Sequence, residues 1–182
     1  LAETCQRTGI EFMSTAFDLD SFAYIDEIVN FHKISSSDIT NYPLLKAAGM
    51  SGKPIYLSVG ASMDHEITAA LDTLRAHGSE DITLLHCVLN YPTDEAGAFL
   101  SNINRLRTVF SGVEVGYSDH VIYGDGEALC TAWTRGARVI EKHFTMNKQI
   151  SGNDHLHSMD PSDITHLINR IYRIEGLSGD LS

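Results

Sequence analysis

Short β-branched runs alternate along this chain with amphipathic stretches of roughly 10 to 18 residues, and that alternation leaves few folds open. Strand candidates occupy residues 11–14, 31–34, 54–58, 82–87, 113–118 and 139–143. Between them the apolar period becomes helical. Phe22, Ile25, Ile28 and Val29 form one stripe, and Ile67, Ala70, Leu71 and Leu74 the next. Leu100, Ile103, Leu106 and Phe110 form a third, and Ile164, Leu167, Ile168 and Ile171 a fourth. Alternation of this kind predicts a parallel sheet with right-handed crossovers. Gly49, Gly78, Gly112 and Gly136 fall where helices should stop, because glycine takes the left-handed conformation after a helix without steric cost. Pro43 and Pro161 suit first turns, and Asp160 is a good N-cap. No linker or low-complexity tract interrupts the pattern, which predicts one domain over residues 1–182.

At 182 residues the chain is short for a complete (β/α)₈ barrel, which typically needs about 250. Its 43% hydrophobic and 20% charged residues are those of an ordinary globular protein. No apolar run approaches the roughly 20 residues of a membrane span. The first residues, Leu1 to Cys5 in sequence, show no signal-peptide pattern and read as the tail of a helix. Cys5, Cys87 and Cys130 are an odd number without metal-ligand spacing, so we expect free thiols, a reducing compartment and a cytoplasmic protein, with Cys87 buried in a strand. A formal charge of −11 argues against nucleic acid and anionic membranes as partners. It leaves an anionic small substrate open, since a few local cations and backbone N–H groups reverse the field inside a cleft.

Most of the runs are apolar within and end in a polar cluster: Ser14-Thr15, Lys33 through Asp38, Ser58, Asn90-Tyr91, Ser118 through His120, and His143. Parallel α/β folds build active sites on that edge. His120 and His143 close two successive runs one strand-plus-helix unit apart, so their imidazoles point the same way and suit one divalent metal. Two His with water and an oxygen donor fit Mn²⁺, Fe²⁺ or Zn²⁺. The plain alternative is a pair of hydrogen-bonded core histidines. Asp119, Asp154, His155 and His157 lie near in sequence. Residues 151–158 form a polar loop beyond the last run, where Asp154 is a candidate for a substrate hydroxyl or a proton, or else forms an Asx turn. Lys33, Ser36, Ser58 and Ser118 combine an ammonium with hydroxyls, a donor set for phosphate or carboxylate. Each taken alone also reads as a cap or surface residue.

These motifs together resemble the sialic acid synthase family, the phosphoenolpyruvate-dependent synthases of nonulosonic acids. The resemblance covers nearly the whole chain. It rests on Gly9-Ile10-Glu11-Phe12-Met13-Ser14-Thr15, Lys33-Ile34-Ser35-Ser36-Ser37-Asp38, Gly52-Lys53-Pro54-Ile55-Tyr56-Leu57-Ser58 and Leu85-His86-Cys87 leading to Tyr91-Pro92-Thr93. It continues through Gly116-Tyr117-Ser118-Asp119-His120, Glu141-Lys142-His143-Phe144-Thr145 and Asp154-His155.

The resemblance implies an α/β fold, a (β/α)₈ TIM barrel present here in part as strands 3 to 8, without the family's carboxy-terminal antifreeze-like domain. It implies condensation of phosphoenolpyruvate with an N-acylated amino sugar, usually N-acetylmannosamine, with release of phosphate. C3 of phosphoenolpyruvate attacks the sugar aldehyde, which a metal polarises; water adds at C2 and phosphate leaves by C–O cleavage. The metal is commonly Mn²⁺, with Mg²⁺ and Co²⁺ as alternatives. Carried over by motif, His120 and His143 are the metal ligands. Lys33, Ser36, Ser58 and Ser118 hold phosphoenolpyruvate, Asp38 takes the place of a catalytic acidic residue, and Tyr91 and Asp154 face the sugar.

The chain departs from the family pattern in places. Asp38 stands where Glu is common, Ala16 where Pro is usual, and Leu89 at a position often polar. Six strands in an open sheet leave two edges that a longer parent chain or a second copy in a homodimer would cover. Two other readings compete with the synthase: a non-catalytic barrel remnant that binds metal or phosphoenolpyruvate without turnover, and a metal-dependent hydrolase. The anion-binding set of Lys33, Ser36 and Ser58 counts against the hydrolase.

Overall fold

A computed structural model describes residues 1–152 and 154–179. Five strands run β1 (His32–Ile34), β2 (Ile55–Ser58), β3 (Ile82–His86), β4 (Glu114–Asp119) and β5 (Ile140–Lys142), hydrogen-bonded in that order in one sheet. Helices α1 (Ala2–Thr8) and α2 (Leu19–Asp26) precede the sheet, α3 (Tyr42–Met50), α4 (Asp64–Ala76), α5 (Ser101–Val109) and α6 (Glu127–Thr134) lie between successive strands, and α7 (Pro161–Ser178) follows β5. The expected α/β alternation is observed. The chain divides into two compact units, Leu1–Leu84 and Leu85–Ser182, with the boundary inside β3.

In the first unit β1 and β2 pair in parallel, with His32 opposite Ile55 and Ile34 opposite Leu57. Ile34, Ile55 and Leu57 are buried. The α4 stripe of Ile67, Ala70, Leu71 and Leu74 is wholly buried, as its spacing predicts. Each large apolar side chain there contributes roughly 1.5–3 kcal/mol by leaving water. Pro43 opens α3 behind the Asn41 cap, whose side chain accepts from the Leu44 N–H.

Three expectations fail in this unit. Residues 11–14 do not form a strand; β character alone does not suffice, because the ladder is what makes a strand. Gly49 does not end a helix by a left-handed turn but lies inside α3. A Cβ there would stand 2.8 Å from both the Leu74 carbonyl oxygen and the His77 Cβ, so it is the close approach of α4 that requires glycine. The first helical stripe is cut short. α2 stops at Asp26, leaving Ile28 exposed while Val29 is buried beyond the helix end.

In the second unit β4 and β5 pair in parallel. Val115 and Tyr117 of β4, Ile103 and Leu106 of α5, and Leu129 of α6 are buried. Gly116 admits no side chain: a Cβ would lie 2.5 Å from the Val139 carbonyl oxygen and 2.7 Å from Leu85 Cδ2. Asp160 caps α7 by accepting from the Ser162 and Asp163 N–H groups, as expected. Only Leu167 of the α7 stripe is buried, and Ile168 remains 46% exposed. Cys87 is buried but sits one residue past the end of β3, and all three cysteines are free thiols. No helix among the described residues is long and apolar enough to cross a membrane.

Candidate metal centre

Asp119 and Lys142 face each other in the parallel register of β4 and β5. Their side chains form an ion pair at 2.7 Å, each 1% exposed. Two charges taken out of water need every remaining lone pair and proton satisfied. The other Asp119 oxygen accepts from the Tyr117 hydroxyl at 2.7 Å and the Val121 N–H at 3.0 Å, while the Lys142 ammonium also donates to the Val121 carbonyl. Burial pulls the Lys142 pKa below its ordinary value, against the raising effect of Asp119. Burial, together with the Asp119 charge, pushes the Tyr117 hydroxyl pKa up.

Immediately after these two residues come His120 and His143, and their rings stand 5.4 Å apart. His120 is buried, and its Nδ1–H donates to the Val88 carbonyl at 2.6 Å, which leaves Nε2 as the nitrogen with a lone pair to offer. Burial lowers its pKa, opposed by that hydrogen bond. The segment after β3 is tied to the same strand end, since the Thr93 N–H donates to the His120 carbonyl at 2.8 Å. That tie lays the Tyr91 ring over the His120 ring, 4.1 Å between centroids. Burial raises the Tyr91 hydroxyl pKa, followed by the negative field of Cys87 and Asp154.

The polar loop beyond β5 returns to this place. Met159 N–H donates to the His143 carbonyl and Thr145 N–H to the Met159 carbonyl, both at 2.8 Å. The return carries Asp154 to 3.7 Å from His143 Nδ1 and places the His157 ring 4.9 Å from the His143 ring. Donor atoms of His143, Asp154 and His157 all lie within 4.8 Å of one another. His157 is fully buried, and neither ring nitrogen has a hydrogen-bond partner among the described residues. Burial depresses its pKa, followed by the positive field of His143 and Lys142. The Asp154 side chain is 52% exposed, so the group is open to solvent on one side. Two imidazole nitrogens and a carboxylate at these separations fit a divalent cation. A buried orphaned imidazole is what such an ion would satisfy.

Sequence reasoning named His143, Asp154, His120 and Tyr91, and the second unit brings these four together. It did not assign a role to His157. The neighbouring His155 carries the family motif, yet its Nδ1 is taken by the Thr145 hydroxyl at 2.8 Å. Only the backbone of the returning loop decides which of the two histidines turns inward. Ser118, near the end of β4, donates from its hydroxyl to Glu141 at 3.1 Å.

The remaining candidates belong to the first unit. Lys33 of β1 is buried and donates to the Ile34 carbonyl at 3.3 Å. Ser58 closes the neighbouring parallel strand β2, and its buried hydroxyl has no hydrogen-bond partner among the described residues. Ser36 heads a 3₁₀ turn, Ser36–Asp38, directly after β1. The Asp38 carboxylate accepts from the Ser37 hydroxyl and the Asn41 amide, each at 3.0 Å. Its oxygens are therefore engaged in holding the entry to α3.

The chain is 39% identical over 178 residues to the N,N'-diacetyllegionaminic acid synthase of Campylobacter jejuni, covering 96% of this chain and 52% of that protein. It is 36% identical over 171 residues to the N-acetylneuraminate-9-phosphate synthase of Drosophila melanogaster, covering 92% of this chain and 45% of that one. The crystal structure of the N-acetylneuraminic acid (sialic acid) synthetase of Leptospira borgpetersenii serovar Hardjo-bovis, in complex with citrate, superposes with a TM-score of 0.90 at 36% identity. It is matched over 97% of this chain and 61% of its own. Two further solved structures superpose on this chain with TM-scores of 0.91 and 0.83, which shows a shared α/β fold. The chain spans about half the length of the curated relatives it matches. Matched over residues 1–182, the chain belongs to the NeuB family.

Proposed function

We propose that the chain carries most of the catalytic barrel of a cytoplasmic synthase that joins phosphoenolpyruvate to an N-acylated amino sugar and releases phosphate. The family match over residues 1–182 carries this reading. Relatives named for N-acetylneuraminate 9-phosphate, legionaminic acid and pseudaminic acid support an acceptor among N-acetylmannosamine, its 6-phosphate and the precursors of legionaminic or pseudaminic acid. Three free thiols suit a reducing compartment.

His120 and His143 hold the metal, Mn²⁺ by preference. Bound there, such an ion supplies Lewis-acid polarisation of the sugar aldehyde. In the first unit Lys33, Ser36 and Ser58 are the donors for phosphoenolpyruvate, which the orphaned buried Ser58 hydroxyl supports, and in the second unit Ser118 is a further donor. Tyr91 offers a hydroxyl and a ring face to the sugar, and Asp154 accepts from a sugar hydroxyl. Asp38 stands as the catalytic acidic residue, its carboxylate held at the turn after β1 by the Ser37 hydroxyl and the Asn41 amide with acceptor capacity left on each oxygen.

Calorimetry on two variants tests these assignments separately. Lys33→Ala weakens phosphoenolpyruvate by roughly 10–100-fold, the equivalent of one charge-assisted hydrogen bond, and leaves Mn²⁺ affinity unchanged. His120→Ala does the reverse. Equal loss of both ligands in either variant would contradict the assignment.

A further inference from the structure

The metal reading above uses His120 and His143, and it leaves one buried imidazole without a task. His157 is fully buried, both its ring nitrogens lack hydrogen-bond partners among the described residues, and its ring packs 4.9 Å from that of His143. A buried polar side chain without a partner is costly to the fold, so a ring held in this way marks a place where a ligand group belongs. The partners at hand identify the ligand. His157 Nε2 lies 4.0 Å from one Asp154 oxygen, and His143 Nδ1 lies 3.7 Å from the other.

Donors on a four-coordinate ion with bonds of about 2.0–2.2 Å stand roughly 3.4 Å apart. Both separations are a few tenths of an ångström wider than that. Rotation of the exposed Asp154 carboxylate closes the two gaps to oxygen, and the His143 and His157 nitrogens, within 4.8 Å of each other, draw together on the ion. The geometry points to His157 as a further metal ligand, which with His143 and Asp154 forms a nitrogen–nitrogen–oxygen triangle beside His120. This inference rests on the proposed metal reading and extends it.

An added imidazole has a chemical consequence. Oxygen-rich sites suit Mn²⁺ and Mg²⁺, whereas each nitrogen donor favours Co²⁺, Ni²⁺ and Zn²⁺. With His157 engaged, the relative affinity of the site shifts toward Co²⁺ and Zn²⁺, and removing His157 shifts it back toward Mn²⁺. Asp154 then serves the metal as well as the sugar.

The test is titration of the protein with Co²⁺ and with Mn²⁺, read by calorimetry and by the visible ligand-field band of bound Co²⁺, in wild type, His157→Asn and His143→Ala. Asn keeps a polar side chain of similar reach but offers no imidazole, and thermal melts of the metal-free proteins verify that each folds. We expect His157→Asn to lose Co²⁺ affinity by about 100-fold or more, at the upper end of what losing even an outer-shell partner costs. Mn²⁺ affinity falls much less, and the Co²⁺ band moves. His143→Ala loses both ions. If His157→Asn keeps the wild-type Co²⁺ affinity and band while His143→Ala loses them, His157 is no ligand and the metal reading stands without it. If neither variant alters Co²⁺ binding, the metal reading fails and this inference with it.

Discussion

Asp119 and Lys142 sit opposite each other in the β4–β5 register and form a buried ion pair at 2.7 Å, each one residue before a histidine of the candidate metal centre. The pair acts as a crossbar. It fixes the two strand ends, and therefore the spacing of His120 and His143, in a place where backbone hydrogen bonding alone would let them fray. Breaking one partner leaves an uncompensated buried charge, which costs about 3–5 kcal/mol. Asp119→Asn and Lys142→Met therefore each lower unfolding stability by about that amount in urea. The double variant loses less than the sum of the singles, and equal additivity in the cycle would contradict a direct coupling.

Gly116 lies on the same strand, and its requirement for glycine is steric. The position has no left-handed backbone, but a Cβ there meets the Val139 carbonyl oxygen at 2.5 Å and Leu85 Cδ2 at 2.7 Å. Gly116→Ala should destabilise by about 1–3 kcal/mol, the usual range for forcing extra volume into a packed interior. Metal affinity should fall with it, because β5 must shift relative to β4. A melting temperature unchanged from wild type would show that the strands relax freely.

His86 gives the fold a pH dependence outside the metal centre. Its Nε2–H donates to the Ala98 carbonyl at 2.9 Å, which leaves Nδ1 to accept from the Asn102 amide at 3.2 Å. Burial depresses its pKa, the Ala98 bond opposes that, and Arg105 adds to the depression. With the folded pKa below the unfolded value of about 6.5, the unfolded chain binds the proton first. The contribution is complete above about pH 6.5 and is lost as pH falls below it, with a slope of at most about 1.4 kcal/mol per pH unit from this group. His86→Gln should flatten the stability profile below that point. A slope identical to wild type would place the effect on other histidines, of which His32 is also depressed by burial.

The edge that bears the candidate site was legible in the sequence because its signals are local. Apolar runs ending in Ser118-Asp119-His120 and Lys142-His143 declare both a strand and its polar end, and β4 and β5 form there. What the sequence concealed depends on partners distant along the chain. Residues 11–14 have strand composition, but no ladder pairs them among the described residues. Gly49 looked like a helix terminator because the approach of Leu74 and His77 is invisible locally. His157 was hidden for the same reason. Its inward orientation follows from the Met159 backbone bonding to His143 and Thr145, a contact no spacing rule announces.

The central claim is that these residues serve a metal-dependent condensation, and release of phosphate tests it most directly. The protein is supplied with phosphoenolpyruvate, Mn²⁺ and either N-acetylmannosamine or a precursor of legionaminic or pseudaminic acid, with and without EDTA. Phosphate release that requires both the sugar and the metal, and that disappears in His120→Ala, is the predicted result. Phosphate release that persists in EDTA, or none with any of these sugars while phosphoenolpyruvate and Mn²⁺ still bind, would contradict it.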